Sequence, residues 1–267
     1  MRIIAGNILA IYRKELHTYF ASPTAMAIAG IFWLLSGFFL VALLLGPSGI
    51  LAQIALRDQM GINQPPIDFG YQFLQLFLVE LIAPLSLFIL PILSMGLYAE
   101  ERKRGTLELL ATSPITNWGV AVGKLLGVVT FFISLIMPVL VTEAIAFKSA
   151  SPPMPPQVPI IAHVGLILLA ASILSLGMFI SSLTESTILA AILTFTLVVF
   201  LWIIDAIAKN FTGPIGEILG HLSLLKHYAN LVKGVVDSSS LILFASYIIL
   251  GIYLTAQSID ALRFGRS

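Results

Sequence analysis

The chain reads as an all-α membrane protein of six transmembrane helices with an N-terminal amphipathic interfacial helix. Only 10% of its 267 residues are Asp, Glu, Lys or Arg and 58% are hydrophobic, whereas an ordinary globular domain carries roughly 25% charge. Mean hydropathy is +1.02. Several apolar runs reach about 20 residues, the length that crosses a bilayer as a helix. Such a length fits one domain, 1–267. A net charge of +1, with no basic block longer than Arg102–Lys103–Arg104, gives no footing for nucleic acid. The absence of cysteine excludes disulfides, thiolate chemistry and Cys-ligated metals.

Residues 7–21 form the first expected helix. On a 3.6-residue period Ile8, Ile11, Tyr12, Leu16, Tyr19 and Phe20 share one face, while Arg13, Lys14 and His17 take the other. Asn7 is a candidate cap. Basic residues opposite aromatic ones suit a membrane surface with anionic headgroups; packing on the helical bundle is the other reading. Glu15 lies at the edge of the apolar side, where it can pair with a base from elsewhere. Ser22–Pro23 supplies an N-cap and a proline at N1, which restart the chain. No Ala-x-Ala cleavage signal closes the apolar run that follows, which reads as a retained helix.

Transmembrane helix one is expected over 24–45, closed by Gly46–Pro47, with Gly30 and Gly37 available for close packing. Ile50, Leu51, Ile54 and Leu56 then predict a short surface helix. Helix two spans 73–99 and contains Glu80, Pro84 and Pro91; each proline should bend it and free a backbone acceptor. A charged segment, 100–117, leads to helix three over 118–147, which exceeds a bilayer at about 1.5 Å per residue. Lys124 is within reach of the near interface by snorkelling. Residues 148–159 hold Pro152, Pro153, Pro155, Pro156 and Pro159, a stiff connector. Helices four (160–181) and five (187–205) are joined by so short a turn that they must run antiparallel. Residues 206–238 form a hairpin or surface helices at the far interface, with an amphipathic piece from Leu219 to Val236. Helix six covers 239–257.

Six crossings place both termini on one side, and basic residues choose it. With the termini inside, Arg2, Arg13, Lys14, Arg102, Lys103, Arg104, Lys124, Arg263 and Arg266 are inner, against Arg57, Lys148, Lys209, Lys226 and Lys233 outside. Both termini and the charged segment are therefore expected in the cytoplasm.

Catalytic patterns are missing. The chain has no phosphate-loop motif and no His-Glu-x-x-His. His17, His163, His221 and His227 are scattered and read as surface or interfacial residues. Ser172, Ser175, Ser181 and Ser182 suit helix packing better than hydrolysis. Among carboxylates, Glu80 and Glu143 fall in apolar segments, where a charge defaults to a pathway or pairing role. Snorkelling to the outer interface, with Lys148 or another helix as partner, is the favoured reading for Glu143. For Glu80 both readings stand.

The charged segment has the composition of an interface. Leu107, Leu109 and Leu110 supply apolar anchors, and Glu100, Glu101, Arg102, Lys103, Arg104 and Glu108 a charged rim, with Gly105 and Thr106 between. A loop that only fixes topology is the plainer alternative.

Two motifs carry a resemblance: Tyr12–Arg13–Lys14–Glu15–Leu16 with Tyr19–Phe20–Ala21–Ser22–Pro23, and Glu100 through Pro114. Together they resemble permeases of the ABC-2 type, nearest the subgroup of gliding-motility (GldF) and copper-site maturation (NosY) permeases. A later pattern, Leu222–Ser223, His227–Tyr228 and Gly234 to Asp237, extends the likeness over essentially the whole chain. The resemblance implies an ABC-2, type V exporter-like fold in a prokaryotic plasma membrane. It implies a dimer with a second permease copy or a paralogue, in contact with membrane lipids and driven by a cytoplasmic ATPase dimer. ATP and Mg would bind that partner, no cofactor would bind this chain, and an extracytoplasmic accessory protein would be a further partner. Residues 7–21 would be the interfacial connecting helix, 102–111 the ATPase-coupling helix, and 206–238 the hairpin gating the exit. An ATPase-coupled membrane scaffold or motility component that transmits force is the alternative from another class; a secondary transporter is a third.

Overall fold

Ser22 and Pro23 divide the first two helices: α1 runs Arg2–Ala21 and α2 runs Pro23–Leu45, with the Ser22 hydroxyl accepting the Ala25 N–H at 3.4 Å. The structure, a computed structural model, describes residues 2–60, 69–107, 116–148, 155–208, 210–211 and 213–264. Half of the proline-rich connector, 149–154, and Glu108, Leu109 and Leu110, lie outside the described residues. A short α3, Ile50–Gln59, follows α2. Among the described residues six helices are long and apolar enough to cross a membrane, so the fold is that of an all-α, multi-pass membrane protein with a separate N-terminal helix.

The second span is built in pieces: α4 (Phe69–Leu74), a π-helical stretch (Gln75–Ile82), α5 (Ala83–Ser94) and α6 (Gly96–Lys103). Its prolines explain the irregularity. Pro84 has no N–H to give, and its ring crowds the carbonyl four residues back. The wider π register absorbs this, and the Ala83 N–H reaches the Leu78 carbonyl, five residues earlier. Next come α7 (Asn117–Lys148), α8 (Gln157–Leu183), α9 (Thr187–Ala208), α10 (Pro214–His221), α11 (Leu224–Val232) and α12 (Ser238–Phe264).

Helix α8 is the hub, packed by α12, α7, α5, α11, α9 and α6. Its small residues let backbones approach, the usual basis of helix association in lipid. A Cβ added to Gly251 of α12 would stand 2.6 Å from the Ser175 hydroxyl. Ser172 and Ser175 donate to the α12 carbonyls of Phe244 (3.3 Å) and Tyr247 (3.2 Å). By contrast α2 is peripheral, burying only the row Ala25, Ala29, Phe32 and Ser36. Among the described residues nothing packs on Gly30 or Gly37.

The amphipathic stretch after α9 does not form one surface helix. It breaks at Leu222–Ser223, where the Ser223 hydroxyl accepts the Lys226 N–H at 3.2 Å and starts α11. Helix α11 is set into the bundle: Tyr228, Leu231 and Val232 are buried, and Leu231 fills the space a side chain at Gly165 would need. His227 is likewise buried, its ring nitrogens 2.7 Å from the Ser240 hydroxyl and 3.1 Å from the His221 carbonyl. His163 is buried too, so neither is a surface histidine.

Candidate functional site

Three glycines on α7 prepare the site. Gly119, Gly123 and Gly127 recur every four residues and leave a groove on one face, into which α1 settles. A Cβ on Gly123 would stand 2.9 Å from Ile11 Cβ, and one on Gly127 2.7 Å from Glu15 Cβ. The apolar face of α1 is thus spent on protein: Ile11, Tyr12, Leu16 and Tyr19 are half-buried, while Leu9 and Phe20 stay exposed. Tyr19 stacks on Phe131 of α7 (5.2 Å between centroids) and donates to the Leu93 carbonyl at 2.7 Å. Within the chain this helix packs on the bundle. Its signal was in the chain, as a Gly-x-x-x-Gly-x-x-x-Gly row inside an apolar run, and sequence reasoning missed it.

The groove brings charge together. Lys124 of α7 does not snorkel; its side chain is 3% exposed, and its Nζ donates to Glu15 Oε1 of α1 at 2.9 Å and to Glu101 Oε1 of α6 at 3.0 Å. Lys14 closes the network from its exposed side, 3.1 Å from Glu101 and 3.3 Å from Glu15. Partial burial works against the Lys14 ammonium, but the Glu101 and Glu15 carboxylates outweigh it and raise its pKa above the ordinary lysine value. Lys124 also lies 5.0 Å from the centre of the Tyr98 ring. Four charges from three elements form one buried brace.

A second brace comes from the last turn of α8 and the short turn after it. The chain pauses at Met95, so α6 starts with amide groups lacking helical partners. The Ser181 hydroxyl accepts the N–H groups of Tyr98 (3.1 Å) and Ala99 (3.0 Å) and donates to the Met95 carbonyl at 2.7 Å. Arg102 donates to the Ser182 carbonyl at 2.8 Å and stands 3.8 Å from Glu185. Beyond it Gly105 adopts φ +69°, the left-handed conformation that ends helices. Lys103 and Arg13 are exposed, and Glu100 pairs with Arg104 at 3.6 Å. A cleft of about 560 Å³, lined in part by Lys14, Thr18, Glu100 and Arg104, opens beside the brace.

Leu107, expected as an outward anchor, is 3% exposed and belongs to the chain's own core. Asn117 donates to Asp260 at 2.6 Å, placing the end of α12 at the same end of the bundle as α1 and α6. The membrane carboxylates part company. Glu80 is exposed on the single chain, within the π stretch. Glu143 is fully buried and unpaired with Lys148, so it does not snorkel; His163 stands 3.8 Å away.

Nothing in this site is arranged for covalent chemistry, since its carboxylates are engaged by lysines and its serine by backbone amides. Among the described residues no group of three or more His, Asp or Glu could hold a metal ion. The fold is that of an all-α, multi-pass membrane protein. The chain belongs to the ABC-2 family transporter proteins, whose family profile matches residues 9–264. No curated protein matches it.

Proposed function

We propose that this chain is the transmembrane subunit of an ATP-binding-cassette exporter, forming the pathway as a dimer with itself or a paralogue. Separate cytoplasmic ATPase subunits, holding ATP and Mg, drive it. The observation that carries this reading is the Lys14–Glu15–Glu101–Lys124 brace. It ties the root of the charged segment to α1 and α7, so a push on that segment is passed to the second and third spans together. Rigid elements moving about packed interfaces are how such motion is usually carried. In this reading the charged end is cytoplasmic, in keeping with its excess of Lys and Arg, and α10–α11 lie on the outer side. Export as the direction, and a place in the gliding-motility and copper-site maturation subgroup, rest on the motifs alone.

Residues 102–111 are the proposed contact with the ATPase, with Leu109 and Leu110 as its apolar anchors. The test is co-purification in detergent with the ATPase encoded beside this chain. Leu109→Asp and Leu110→Asp should each lower ATPase recovery about tenfold or more, the loss expected for a buried interface leucine. Leu107→Asp serves as the folding control, because Leu107 is internal. Unchanged ATPase recovery with both Leu109 and Leu110 replaced, in a folded chain, sinks the docking assignment.

A further inference from the structure

At the end of the bundle away from the brace, α7 carries Glu143, 19 residues beyond Lys124 and so about 28 Å along the helix. Its side chain is 0% exposed, and neither carboxylate oxygen has a hydrogen-bond partner. The titratable groups facing it are His163 of α8 and Tyr228 of α11. Neither satisfies it. His163 Nδ1 is 3.8 Å from Oε2, too long for a hydrogen bond. That nitrogen is 3.0 Å from the Pro159 carbonyl, which only accepts, so Nδ1 bears the imidazole proton. His163 Nε2 has no partner. The Tyr228 hydroxyl is directed at the Leu78 carbonyl, at 3.5 Å. One turn beyond Glu143, Phe147 packs edge-on against Phe73, which stacks on Phe77. The surroundings are aromatic and aliphatic.

A bare carboxylate in such a place is costly: removing an ion from water without hydrogen bonds or a close counter-charge is among the most expensive things a fold can do. A proton removes the charge. From the burial of both side chains and the three orphaned atoms, we propose that Glu143 and His163 form a proton-binding site, with the proton held on the Glu143 carboxyl while α11 is seated. The ligand is a single proton. It enters or leaves as H⁺ exchanged with water, and no other bond is made or broken. Seating of α11 against Gly165, two residues from His163, keeps water out. Lifting α11 would admit water to the carboxyl and release the proton, so protonation and closure of this end are one equilibrium. This inference stands apart from the proposed transport role and holds for the chain alone.

Infrared difference spectroscopy on the purified full chain in lipid nanodiscs tests it, at about pH 8, where exposed carboxyl groups are ionised. The wild type should show a carboxylic-acid C=O stretch that shifts down in D2O. Glu143→Gln should lose that band, and Glu80→Gln should keep it. A wild type with no acid band, or a band that survives in Glu143→Gln, overturns the proposal. Should Glu143→Gln fail to fold, His163→Phe takes its place: a displaced band supports the site, and an unmoved one overturns it.

Discussion

Replacing Lys124 by Met would retain most of the side-chain stem and remove the charge at the centre of the brace. Lys124 and Glu15 are 3% and 8% exposed and 2.9 Å apart, and Glu101, 3.0 Å away, is 19% exposed. Removing one partner of a buried pair leaves the other charge uncompensated and typically costs about 3–5 kcal/mol. Lys14 touches the same two carboxylates but is 63% exposed, and an exposed ion pair is worth about 0–1 kcal/mol. Two lysines with the same acidic partners should therefore behave very differently. At about 2–4 °C per kcal/mol for a chain of this size, Lys124→Met should lower the unfolding midpoint by about 6–20 °C and Lys14→Met by about 0–4 °C. Thermal unfolding in detergent, followed by tryptophan fluorescence, reads both. Trp118 lies on α7, and Trp33 donates to an α7 carbonyl. Adding Glu15→Leu to Lys124→Met should recover more than half the loss, because an apolar replacement of a buried pair is often near neutral. Equal losses for Lys124→Met and Lys14→Met would refute the reasoning that burial sets the strength of this brace.

Two further outcomes are expected. Gly127→Ala places a Cβ 2.7 Å from Glu15 Cβ and should cost about 1–3 kcal/mol by overpacking, loosening α1. In this cysteine-free chain a single Ile11→Cys should then react faster with a thiol reagent, with a smaller change for Gly119→Ala, whose nearest contact is the Thr116 hydroxyl. At the other end, Asp237 caps α12: its carboxylate accepts the Ser240 N–H at 3.1 Å, and this hydrogen bonding holds its pKa below the ordinary 3.8. A lowered carboxylate value stabilises above 3.8 and loses that contribution as pH falls through the folded value. Asp237→Ala should cost about 1 kcal/mol near neutrality, and thermal unfolding against pH should show the two proteins converging in acid.

Six spans, their order, the restart at Ser22–Pro23 and the charged segment between the second and third spans were all legible in the sequence. They depend on local quantities: an apolar run either is or is not about 20 residues long, and caps and prolines act within a turn of where they stand. The proline signals at 84 and 91 likewise marked an irregular second span, though not that the relief would be a π stretch. Membership in a transporter family was legible because its motifs are short and contiguous.

Which groups meet was decided only by the tertiary structure. Lys124 has Glu15 as its partner, 109 positions away, and although the glycine row around it marks a close-packed face, the row does not say which helix fills that face or what charge it brings. Gly119, Gly123 and Gly127 let a second helix come close enough to deliver a carboxylate. Helix α11 looked like surface because its amphipathicity specifies that one face must be covered, not by what; Gly165 on α8 supplies the cover. Glu143 and Glu80, alike as carboxylates in apolar segments, came out buried and exposed. Hydropathy prices the burial of a charge, but whether the price is met by a partner, a proton or exposure depends on helices far away in the chain.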